Sequence, residues 1–150
     1  YGRNAAATAV ASHECGHAVQ HATAYSMLQF RSAMVPIQNI SASVMNFIMM
    51  AMLFGGIFAG GFLPWKTALL VMIVCYAVFA LFALVTLPVE FDASRRALAW
   101  VKTRQIVTAP EYDMAQDALK WAAMTYVVAA IGAITMLAYY VMMYLGGRED

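Results

Sequence analysis

The chain has 150 residues, of which 63% are hydrophobic and 11% charged, with a net charge of +1. A soluble domain carries about 25% charged residues, so the composition points to lipid as the main solvent. Near-neutral bulk charge argues against a nucleic-acid partner, and two cysteines, Cys15 and Cys75, make no disulfide framework.

In chain order, Tyr1-Gly2-Arg3-Asn4 runs directly into an Ala-rich stretch without an initiator Met or a signal-peptide layout. Further residues are therefore expected upstream. The proline-free, alanine-rich segment that follows predicts a helix over about 4–28. It contains His13-Glu14-Cys15-Gly16-His17, an H-E-x-x-H motif. Residues four apart on a helix share one face, so two imidazoles can reach one tetrahedral Zn²⁺. Glu14 stands beside them as a general base for the water that zinc activates. The bland alternative is a juxtamembrane polar face with coincidental spacing.

A catalytic zinc needs a third protein ligand and an open position. His21 lies eight residues past His13, about 12 Å along a straight helix, so it reads as an interfacial polar residue. The metzincin extension of the motif is absent.

Three stretches carry no Asp, Glu, Lys, Arg or His: Ser32 to Trp65, Thr67 to Val89 and Trp121 to Gly147. A helical span takes about 20 apolar residues, and the lack of alternation rules out a barrel. We read three transmembrane helices near 43–63, 67–87 and 122–145. Gly56 and Gly60 form a GxxxG pattern, read as bundle packing rather than a dimer interface. The polar segment 89–120 separates spans two and three. Pro88 is expected as a break or first-turn residue, a loop is expected near 107–110, and a further helix from about Glu111 into span three.

Two crossings bring residues 89–120 back to the side of residues 1–31. Arg3, Arg31, Arg95, Arg96, Lys102, Arg104 and Lys120 then face one compartment and only Lys66 and Arg148 the other. The positive-inside rule places the richer side in the cytoplasm. On that side Glu90 emerges at the end of an apolar run, where a carboxylate needs a partner. It is the best candidate for the third ligand; the alternative is an exposed carboxylate at a helix start. Asp92 either pairs with Arg96 one turn on or orients a zinc-binding histidine. Arg95 and Arg96 are topology signals, or one of them holds a substrate carboxylate or steadies the oxyanion. Tyr25 and Tyr112 are possible oxyanion donors.

Ala11-Ser12-His13-Glu14-Cys15-Gly16-His17-Ala18-Val19-Gln20 resembles the active-site helix of the bacterial membrane neutral zinc metallopeptidase type 2, or YugP-like, family. The blocks Arg31–Pro36, Leu87–Ala97 and Ala122–Val127 resemble it too, in family order over nearly the whole chain. That family usually carries an upstream transmembrane anchor, as the abrupt start suggests here. The resemblance implies an all-α membrane helical bundle, one metallopeptidase domain over 1–150, in the bacterial cytoplasmic membrane. It implies Zn²⁺ held by His13 and His17, with Glu14 as catalytic base, and it supports Glu90 as third ligand by similarity to HtpX-like membrane proteases. In that wider class an Asp often stands four residues past the ligand Glu. Here that position is Ser94, with Asp92 as the substitute. The expected partners are peptide or protein substrates and membrane lipid, with an oligomer or a membrane-protein partner left open. The runner-up is a non-catalytic membrane scaffold with a structural zinc site. It would need a fourth ligand, and Cys15, about 200° round the helix from His13, faces away.

Overall fold

A computed structural model describes residues 4–55 and 64–147. Its elements are four helices, α1 (Ala5–Ala22), α2 (Ser26–Gly55), α3 (Trp65–Thr103) and α4 (Ala109–Gly146), and the described residues include no strand. Three of the helices, α2, α3 and α4, are long and apolar enough to cross a membrane. In α3, 39 residues extend over roughly 58 Å, about twice the hydrocarbon thickness. One helix therefore has room for a span and for a polar segment beyond it.

Local chemistry explains the helix ends. The Asn4 side chain caps α1, accepting from the Ala7 N–H at 2.8 Å. Helix α1 stops at Ala22, short of the expected end near 28, because Ala24 adopts φ 51 and turns the chain. Neither glycine nor proline announces that left-handed residue. Helix α2 then starts at Ser26 and takes in the stretch expected to precede the first span.

Pro88 lies inside α3 and does not break it. That corrects the expectation drawn from local proline chemistry; long membrane helices tolerate the lost hydrogen bond because neighbouring groups compensate. Gln105, φ 50, ends the turn after α3. Thr108 and Glu111 open α4 as a capping box, Glu111 Oε2 accepting from the Thr108 N–H at 2.8 Å and its hydroxyl at 2.7 Å. The start of α4 agrees with expectation. Gly56 and Gly60, and with them the end of the first expected span, lie outside the described residues.

The chain divides into two compact units. The first comprises residues 1–32 and 84–129. In it, α1 buries Ala5, Ala9, Ser12, Gly16 and Gln20, a stripe of mostly small residues at helical spacing. Facing them, α3 buries Val89, Ala93, Ala97 and Val101 at four-residue intervals. Ala9 and Ala97 pack with Ala115 and Leu119 of α4. Gly16 sets how closely α1 and α3 approach: a Cβ there would lie 2.5 Å from the Ala93 carbonyl oxygen. Small residues on both helices are what permit so close a contact.

The second unit comprises residues 33–83 and 130–150. Ile48, Ala68 and Met72 are buried together, flanked by Tyr76 and Tyr140. Those two rings stack with centroids 5.2 Å apart.

Candidate metal centre

The site lies within the first unit. Helical geometry puts His13 and His17 one turn apart on α1, with ring centroids 4.6 Å apart and planes nearly perpendicular. The close seating of α1 on α3 brings Glu90 to them. Its Oε2 is 3.0 Å from His13 Nε2 and 3.4 Å from His17 Nε2. Ligand atoms of His13, His17 and Glu90 all lie within 4.8 Å of one another, and no other such group of three occurs among the described residues.

Two tests of fit favour a metal. Ligand atoms about 2.0–2.1 Å from a tetrahedral zinc stand about 3.3 Å apart, and the two nitrogen–oxygen distances bracket that value. The donor set, two imidazoles and a carboxylate, is one used by catalytic zinc sites that keep a fourth position open.

Each imidazole is held from its other nitrogen. His17 Nδ1 lies 2.9 Å from Gln20 Oε1, and His13 Nδ1 lies 3.1 Å from Ser94 Oγ. An Nδ1–H donated to each oxygen leaves both Nε2 atoms for a ligand at the shared point. Gln20 is fully buried at 0% exposure. Its amide nitrogen donates to the Val89 carbonyl at 2.8 Å and to Asp92 Oδ2 at 2.9 Å. Both amide hydrogens are thus used and Oε1 is turned toward His17. Asp92 also accepts from Arg96 Nε at 2.6 Å, and the Arg96 guanidinium lies 5.8 Å from the centre of the Tyr25 ring.

Glu90 is the one buried charged residue among the described residues, at 2% exposure. Removing a carboxylate from water is tolerated only beside compensating charge. Arg31 supplies some, with Nη1 3.4 Å from Oε1. The two carboxylate oxygens divide their roles, Oε1 toward Arg31 and Oε2 toward the histidines.

Glu14 borders the same cleft, a space of about 160 Å³ lined also by His13, His17, Glu90, Ser94 and Tyr126. The predicted residues thus converge in part. His13, Glu14, His17 and Glu90 meet, and Ser94 touches His13. Asp92 reaches His17 only through Gln20, and it makes the expected pair with Arg96 as well. Arg95 is well exposed, 3.8 Å from Asp92 Oδ1. Cys15 is exposed, as is His21. Tyr25 and Tyr112 do not line the cleft, whereas Tyr126 does. Gln20, Arg31 and Tyr126 escaped prediction in these positions. Only Gln20, three residues past His17 on an apolar helix face, left a visible signal.

The model of a family described as "Putative neutral zinc metallopeptidase" matches residues 1–145 of this chain. The chain is also 35% identical over 151 residues to the "Putative membrane protease YugP" of Bacillus subtilis (strain 168). That alignment covers 100% of this chain and 63% of the relative, so the chain spans less than two thirds of that protein's length. No solved structure matches it significantly.

Proposed function

Since the chain belongs to the neutral zinc metallopeptidase family, we propose that it is a zinc-dependent endopeptidase that cleaves membrane or membrane-adjacent proteins. His13, His17 and Glu90 are the zinc ligands and Glu14 is the general base. The observation that carries this reading is the convergence of His13, His17 and Glu90 within 4.8 Å, on a cleft that Glu14 also lines.

Zinc held there supplies Lewis acidity, lowering the pKa of a water molecule and polarising the scissile carbonyl. The chain's own residues do the rest. Glu14 takes a proton from the attacking water on its carboxylate and delivers it to the nitrogen of the departing amine. Gln20 and Ser94 hold the imidazoles in the tautomer that presents Nε2. Arg31 balances the buried charge of Glu90. Tyr126 stands at the cleft as a hydroxyl donor for the developing oxyanion. The Lys and Arg distribution argues for a site at the cytoplasmic face of a bacterial cytoplasmic membrane.

A structural zinc site would need a fourth protein ligand. Among the described residues the donor group numbers three, which favours the open, catalytic reading.

The test is zinc content together with cleavage of an unfolded protein, for wild type and Glu14→Gln. Retained zinc with cleavage reduced on the order of 10²–10⁴-fold is the expected outcome. Equal cleavage by the two proteins would remove Glu14 from the chemistry.

A further inference from the structure

Beside the metal cleft runs a second, larger hollow between α3 and α4, of about 570 Å³. It shares Ser94, Leu119 and Ala123 with the metal cleft, so the two are adjacent. Its volume falls in the range of pockets that enclose a ligand of several side-chain equivalents. Phe91 and Leu98 of α3 and Leu119 of α4 give it an apolar floor. Arg95, Lys102 and Lys120 stand around it, and no carboxylate lines it.

These cations have little internal pairing. Arg95 reaches Asp92 only at 3.8 Å, with its side chain 77% exposed. Lys102 rests over the Tyr112 ring, 5.9 Å from its centre. Among the described residues neither Lys102 nor Lys120 makes an ion pair. Three exposed like charges around one apolar hollow make a positive surface that attracts anions.

We propose that this groove is the substrate subsite next to the metal centre, and that it selects peptide segments in which an apolar side chain is flanked by acidic residues. The apolar side chain lies between Phe91, Leu98 and Leu119, and the acidic neighbours meet Arg95, Lys102 and Lys120. The inference rests on the peptidase reading, which supplies the peptide. Charge complementarity supplies its composition. Rim charges of this kind act on encounter and selectivity and are weakened by salt.

The experiment uses the full protein in detergent micelles and two fluorogenic peptides that differ only in whether Glu or Lys flanks a central Leu. Wild type should prefer the Glu peptide in kcat/KM. In Lys102→Glu/Lys120→Glu the ratio of the two values should fall on the order of tenfold. Raising salt from about 50 to about 500 mM should shrink the wild-type preference. An unaltered ratio in a variant that retains zinc would overturn the proposal.

Should wild type cleave neither peptide, the enzymatic reading is judged by its own test on unfolded protein and the groove by fluorescence anisotropy of the labelled Glu peptide. Salt-sensitive binding that the double substitution weakens supports the subsite; binding insensitive to it contradicts it. Phosphatidylglycerol retained in native mass spectra by wild type and lost from the variant, with peptide binding unaltered, would assign the groove to lipid headgroups and overturn the peptide proposal.

Discussion

Residues 1–32 and 84–129 bury Gln20 and Glu90 along a seam in which α1 contributes Ala5, Ala9, Ser12 and Gly16, with Val89, Val101 and Leu119 facing it. Residues 33–83 and 130–150 bury Ile48, Leu69, Met72 and Cys75, with stacked tyrosines beside them. Small residues let two backbones meet closely enough for side chains to bond across helices. Bulky ones fill space and ask nothing of orientation. In the first unit the packing therefore fixes the polar atoms of the site relative to one another; in the second it mainly supplies cohesion. Chemistry and cohesion should then respond to different substitutions.

Gly16→Ala should break the first unit most severely. The added methyl meets the Ala93 carbonyl oxygen at 2.5 Å, and overpacking against backbone costs about 3 kcal/mol. Thermal unfolding in detergent should show the drop, and zinc affinity should fall with it as α1 moves off α3. An unchanged melting temperature would mean that the helices yield freely there.

Gln20→Leu keeps the volume but leaves His17 Nδ1 and the Val89 carbonyl without their partner. Loss of such an orienting bond lowers metal affinity about 10–100-fold, measurable by chelator competition.

Met72→Ala, in the second unit, should cost about 2 kcal/mol of stability, at the low end for a buried methionine because lipid replaces water as the alternative surroundings. Zinc content should not change. A loss of zinc in that variant would erase the distinction between the two units.

Ser94→Ala removes a single acceptor from His13 and should give the smallest effect, about a tenfold loss of zinc affinity.

The same contrast explains what was legible beforehand. His13, Glu14 and His17 are read from spacing alone, since helix geometry converts four residues into one turn. Glu90 follows from counting crossings, and the apolar runs declare the membrane helices by length. Local rules failed where tertiary context overrides them. Pro88 sits in an unbroken helix, and Ala24 turns the chain with no glycine to announce it. The bonds of Gln20 to Val89 and Asp92 and of Arg31 to Glu90 join residues 59 to 72 positions apart. Such pairs leave no periodic trace. Arg31 registered only as charge on one side of a membrane, yet it meets a buried carboxylate; Arg95, read as a topology signal or a substrate contact, rims a groove.

The central claim is that α1 and α3 share one metal ion. Zinc per purified chain, measured by atomic spectrometry for wild type and Glu90→Ala, tests it most directly. About one zinc per wild-type chain and little in the variant is the predicted result, since one of three protein ligands is gone. Equal zinc in the two proteins, both folded, would contradict it.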